Sequence, residues 1–176
     1  MFRKMRRFRQ QISTEECAEI LNRASSGVLG LYGDDGYPYT VPLSFVYENG
    51  TEGSLGTISF HCAREGHKID AIRRNEKVSF TVIDRDEVMP KERTTKFCSV
   101  IAFGRARILE DKEEMRRAAN ALGAKYSGGF EELYMKETED TIRAGQLCCI
   151  EVTIDHMTGK IGRQILLERQ REETQV

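Results

Sequence analysis

Short β-type segments joined by turns too brief to hold a helix fill the first half of the sequence, and this restricts the fold more than any other feature. Val28 to Tyr32 is followed by Gly33-Asp34-Asp35-Gly36 and then by Tyr39 to Tyr47, two strands with a turn between them. Glu48-Asn49-Gly50 opens a longer glycine-rich connection through Gly56, and Thr57 to His61 is the third strand. Lys77 to Asp84, Phe97 to Leu109 and Gln146 to Asp155 complete the set, with the charged stretch Arg85 to Lys96 reading as a projecting loop. Parallel strands need crossovers of a dozen residues or more, and regular βαβ alternation is missing. The expected fold is therefore mainly β: an antiparallel sheet curled into a barrel, with peripheral α-helices.

The helices have their own signals. Ser13 stands three residues before Glu16, a capping box, and Cys17, Ile20, Leu21 and Ala24 share one apolar face. Lys68 to Arg74 reads as a short helix stopped at Asn75. Met115, Ala118, Ala119 and Leu122 mark a second clear helix, broken at Gly128-Gly129, and a further helical stretch runs from Phe130 to Arg143. The mainly charged tail after Gly162 is expected to be poorly ordered. One domain over residues 1–163 and a charged tail over 164–176 result.

Composition removes several function classes. With 27 Lys and Arg against 28 Asp and Glu, the chain as a whole is no polycation for nucleic acid. The cluster Arg3, Lys4, Arg6, Arg7 and Arg9 reads as a basic arm, with only Phe2 and Phe8 interleaved to stack bases. No apolar run approaches the roughly 20 residues of a membrane span, and the N-terminus lacks the pattern of a secretory signal. A cytoplasmic protein is expected. The five cysteines form no C-x-x-C pair, and clustered Cys and His ligands at zinc spacing are missing, so no metal is expected.

Two segments could carry chemistry. His61-Cys62-Ala63-Arg64-Glu65-Gly66-His67-Lys68 lies where a strand ends and a helix begins. Helix starts present unpaired N–H groups and a partial positive charge, and so attract phosphate. Gly66 allows close backbone approach, and Arg64, His67 and Lys68 supply donors. In Pro38-Tyr39-Thr40-Val41-Pro42-Leu43-Ser44-Phe45, Pro42 cannot donate to a ladder and marks an edge, a bulge or a pocket rim. Alternation sets Thr40, Pro42 and Ser44 on one face and Val41, Leu43 and Phe45 on the other. A planar heterocycle could lie along such a strand on its free backbone groups. No G-x-S-x-G nucleophile motif occurs.

In this order and spacing, these segments resemble the split-barrel FMN-binding superfamily of pyridoxamine 5′-phosphate oxidase, and within it the nitroimidazole-resistance flavin proteins. Met5-Arg6-Arg7, Gly27-Val28-Leu29-Gly30-Leu31, Asn75 to Phe80, Gly104-Arg105-Ala106 and Met157-Thr158-Gly159-Lys160 extend the likeness to about residue 163. The resemblance implies a six-stranded antiparallel split β-barrel and a homodimer with FMN at the subunit interface. By position, Thr40, Val41, Pro42 and Leu43 would run along the flavin, and His61 and Cys62 would stand beside it. His67 and Lys68 would grip its phosphate, His67 replacing the oxidase's arginine, and Ser99 would reach FMN from the other subunit. The oxidase's basic residues in the Thr40-to-Phe45 segment and its substrate-phosphate cluster are missing. The resemblance therefore implies a flavin-dependent reductase of nitroimidazole-like or other small electron acceptors, with His61 as proton donor or substrate contact. Its alternatives are a non-catalytic flavin-binding or redox-sensing module and an oxidase-like enzyme.

Overall fold

Alternation of apolar and polar side chains decides which face of each strand meets the core, and here one set of strands encloses one core. The structure is a computed structural model that describes residues 1–174. Its strands are β1 (Gln11–Ile12), β2 (Ser26–Tyr32), β3 (Pro38–Ser44), β4 (Val46–Glu48), β5 (Thr57–Cys62), β6 (Lys77–Met89), β7 (Thr94–Ile108) and β8 (Cys148–Ile161). The helices are α1 (Thr14–Arg23), α2 (His67–Arg74), α3 (Lys112–Tyr126), α4 (Glu131–Arg143) and α5 (Arg163–Thr174). The order in the sheet is β3-β2-β6-β7-β8-β5-β4, with β1 added on β8, and every pairing is antiparallel.

The two ends of that order, β3 and β4, are separated in the chain by Phe45 alone. The sheet must curl until its ends meet, and it stays open along the line between them. Phe45, Phe60 and Phe80 fill the interior, none more than 1 % exposed. The Phe45 and Phe80 rings meet edge-on at 4.8 Å, and Phe60 lies 6.1 Å from Phe80, so strands far apart in the sheet order touch across the barrel. A Cβ on Gly27 would lie 2.4 Å from the Phe80 ring, which only glycine permits.

At the break, the Phe45 backbone has no strand partner. Its N–H donates to Tyr126 Oη at 2.8 Å, and that hydroxyl lies 2.7 Å from Phe45 O and 2.6 Å from Ser25 O. Tyr126 is the last residue of α3, which is itself tied to the barrel by charge. Glu151 on β8, 4 % exposed, accepts from Arg107 at 2.6 Å and from Arg117 of α3 at 2.8 Å. Arg107 also grips Glu114 of α3 with two bonds of 2.8 and 2.9 Å. Asp111 caps α3, accepting from the N–H groups of Glu113 and Glu114; Ser13 caps α1 by accepting from Glu16 N–H at 3.1 Å.

Three features depart from the sequence expectations. The sheet has eight strands, not six: β1 is two residues long, and the segment read as one strand from Tyr39 to Tyr47 is split at Phe45 into β3 and β4. Arg85 to Lys96 is not a loop, because β6 and β7 stay paired to Met89 and Thr94. Much of this ribbon is solvated, Arg85 to Val88 and Pro90 to Arg93 being exposed, so its composition is that of a loop. The tail begins as a helix, α5, with Ile165 buried and Glu168 paired to Lys96 at 2.6 Å; residues 175 and 176 lie outside the described residues.

Tyr126→Phe removes the one hydroxyl at the break and leaves Phe45 N–H without a partner. The expected cost is about 1–3 kcal/mol, read as a fall of several degrees in Tm by thermal unfolding. An unchanged Tm would show that the break does not depend on this hydroxyl.

Candidate functional site

The backbone of α2 begins at a residue that only glycine fills easily. Gly66 has φ +122, and its carbonyl accepts from the N–H groups of Ile69 at 2.9 Å and Asp70 at 3.2 Å. No side chain caps the helix, so the N–H groups of its first residues, His67 and Lys68, face outward with the positive end of the helix dipole. Lys68 is half-buried and makes no ion pair among the described residues. His67 is engaged: its ring stacks on Tyr39 at 4.0 Å, and its Nε2 lies 3.3 Å from Asp34 Oδ2. Asp34 is also held by Arg74 at 2.6 Å. The turn between β2 and β3 is thereby clamped onto α2.

That clamp brings the free edge of β3 beside the helix start. Gly33 N–H donates to Tyr37 O at 2.9 Å, making these two a hydrogen-bonded pair. Antiparallel alternation along the register then directs the backbone of Tyr39, Val41 and Leu43 to β2. Pro38, Thr40, Pro42 and Ser44 turn theirs to the open edge. Pro42 therefore sits where its missing N–H costs no ladder bond. Thr40 N–H and the carbonyls of Thr40 and Pro42 remain free for a ligand, while Val41 and Leu43 point inward, packed on the core.

The remaining predicted residues are spread more widely. His61 is exposed at the end of β5, opposite Cys149 in register. Cys62 turns inward, with Sγ 4.0 Å from Cys148 Sγ. Burial pushes its thiol up to about 12, assisted by Cys148 and opposed by the nearby Lys68 charge. Arg64 does not join His67 and Lys68. Its Nη1 donates to the Gly145 carbonyl, and it lines a separate pocket of ≈ 400 Å³. Ser99 lies on β7, three strands from β3 in the sheet order.

Sequence reasoning missed a cleft of ≈ 640 Å³ on the outer face of the sheet. Thr40, Gly30, Ser79, Phe103 and His156 form one cross-strand row there. Tyr32 and Tyr37, 64 % and 74 % exposed, line the cleft together with Phe103 and Phe2. The Phe2 ring stacks on His156 at 4.4 Å. Alternation could have placed Tyr32 on this face, but only the register brings Phe103 alongside Thr40. Asp34 gave no signal, because an aspartate in a turn is the ordinary choice.

Fold and site together define a split β-barrel with an uncapped helix start beside a free strand edge. The chain belongs to the pyridoxamine 5′-phosphate oxidase family, whose sequence pattern matches residues 13–161. Among solved structures, a candidate 5-nitroimidazole antibiotic resistance protein from Bacteroides thetaiotaomicron is 25% identical, with a TM-score of 0.68 over 86% of each chain. A conserved hypothetical protein from Mycobacterium tuberculosis has a TM-score of 0.72 at 20% identity over 92% of each chain. The FAD and heme binding protein from Mycobacterium smegmatis has a TM-score of 0.67 at 19% identity, over 88% of this chain and 74% of that one. No curated protein matches the sequence. Among the described residues, no helix is long and apolar enough to cross a membrane.

All five cysteines are free, and burial pushes the thiols of Cys17, Cys62 and Cys149 up to about 12 and that of Cys98 to about 11. A raised thiol pKa suppresses the reactive thiolate at neutral pH. Titration with a chromogenic disulfide at pH 7.5 should find these four slow to react in the folded protein and all five fast in denaturant. Rapid labelling of Cys62 in the folded state would contradict this.

Proposed function

We propose that this protein binds FMN and acts as an oxidoreductase that reduces nitroimidazole-like or other small electron acceptors. The observation that carries the reading is the start of α2: outward N–H groups and a half-buried Lys68 without an ion pair among the described residues, next to the free edge of β3. A dianionic phosphate suits that helix start, where dipole and ammonium both attract it. One lysine at one short helix matches a terminal monophosphate, which favours FMN over a dinucleotide flavin. Thr40 N–H and the carbonyls of Thr40 and Pro42 can hold the edge of a planar heterocycle with alternating donors and acceptors. Val41 and Leu43 support that strand from the core, and Cys62 packs on the same core.

A bound flavin supplies hydride transfer to and from small molecules. The chain's own part is to hold, orient and shield. His61, exposed at the strand end, is the side chain placed to pass a proton from its imidazole to a reacting molecule. His67 positions the turn by stacking on Tyr39, and the aromatic cleft beside Thr40 suits a flat acceptor. The description of the Bacteroides relative supports a nitroimidazole-like acceptor, and that of the M. smegmatis relative supports a flavin.

The protein is also proposed to be a homodimer. The outer face of the sheet exposes Val28, Ile83, Ile101 and Phe103, with Ile83 67 % exposed, an apolar band of the kind that partners cover. A second copy on that band would bring its Ser99 toward the flavin of the first. Free thiols throughout fit a reducing compartment such as the cytoplasm.

The purified protein should show flavin bands near about 375 and 450 nm, and acid should release FMN in near-stoichiometric amount. Lys68→Ala should weaken FMN binding by about tenfold or more, the loss of one charge-assisted bond. His61→Ala should keep the flavin and slow turnover about 10²-fold or more. A colourless protein that takes up no added FMN overturns the reading; unchanged FMN affinity in Lys68→Ala removes the phosphate assignment alone.

A further inference from the structure

The pocket beside Arg64 is separate from the outer-face cleft and from the start of α2, and no role described above uses it. Its ≈ 400 Å³ falls within the range of small-molecule sites, about 300 to 1,000 Å³. Leu109, Met115 and Leu147 give it an apolar floor. Arg64, Arg73 and Lys112 stand around it, with Glu110 the one carboxylate in its lining among the described residues.

Several arginines elsewhere are neutralised by carboxylates. Arg23 is paired with Asp84, Arg74 with Asp34, Arg105 with Asp155, Arg107 with Glu114 and Glu151, and Arg117 with Glu151 and Glu48. Around the pocket the cations are left over. Arg64 meets a backbone carbonyl, that of Gly145, which aims the guanidinium without neutralising it. Arg73 lies 3.6 Å from Asp70, with both side chains more than half exposed. Lys112 makes no ion pair among the described residues. It is also the first residue of α3, where the helix dipole favours acids and disfavours a cation. Three loosely paired cations over an apolar floor form a site for a ligand that is charged at one end and apolar at the other.

We propose that this pocket binds an organic oxyanion, a carboxylate or phosphate monoester head on an apolar body. The head sits among Arg64, Arg73 and Lys112, where guanidinium forks match paired oxygens. The body lies on Leu109, Met115 and Leu147. The site does not depend on the flavin reading. It moves Arg64 from a flavin contact to a wall of this second site.

The test is calorimetric titration of the full-length protein with three probes of one shape: 2-naphthoate, 2-naphthyl phosphate and the neutral 2-naphthalenemethanol. At least one anion should bind, with the alcohol about tenfold or more weaker, and the two anions compared identify the preferred head. Lys112→Ala and Arg73→Ala should each weaken the anion by several fold. Both side chains are exposed, so these variants should fold, which circular dichroism checks. The proposal fails if the alcohol binds as tightly as the anions, if no probe binds at millimolar concentration, or if neither substitution changes the anion's affinity. The 450 nm band, read on the same samples, reports the flavin site separately.

Discussion

At Phe45 the backbone has left one strand and not yet entered the next, in the middle of the hydrophobic core. A buried N–H and C=O without ladder partners would be costly there, and the Tyr126 hydroxyl answers both. Much else follows from that contact. It allows β3 and β4 to sit at opposite ends of one sheet while remaining consecutive in sequence, which is what curls the sheet into a barrel. It keeps β3 an edge strand, with the backbone of Thr40 and Pro42 unpaired. It also explains why α3 is fastened to the barrel so firmly, since Tyr126 is effective only while Arg107, Arg117 and Glu151 hold the helix in place.

The same device, an acid pinned by a base, shapes the sheet in two further places. The register of β6 against β7 slips at Asp84, and that of β7 against β8 slips at Asp155. Each extra residue is an aspartate gripped by an arginine, Asp84 by Arg23 and Asp155 by Arg105. Bulges bend and twist a strand, and these two lie in the longest strands, where a barrel needs its curvature. Exposed pairs of this kind add little stability singly; their contribution here is to fix where the strands bend.

The fold class was legible because its signals are local. Turn residues, short β runs and the box at Ser13 each act within a few positions, and most of the barrel strands with α1 to α4 follow from them. The break at Phe45 was not legible, since Tyr39 to Tyr47 reads as one apolar strand and the residue that interrupts it lies 81 positions away. The ribbon from Arg85 to Lys96 was misread because a solvated strand and a loop share a composition. In the site, the uncapped start at Gly66 and the edge at Pro42 could be read from residue types alone. The position of Arg64 could not, because it depends on a carbonyl at Gly145 brought in by the packing of α4. The aromatic cleft depends on register across five strands, which no single segment encodes.

Strand β8 lies between β7 and β5 in the sheet and also carries β1, so three partners depend on one late segment. As the chain leaves the ribosome, β2, β3, β6 and β7 can pair as a unit, but β4 and β5 must wait for Cys148–Ile161 before their sheet has a neighbour. During that interval Phe60 and Ile58 have no core to enter, and the inner edge of β7 is a bare template for pairing with another chain. The nascent protein is thus most exposed to aggregation just before β8 emerges, and a chain cut short ahead of β8 is left with two unjoined half-sheets.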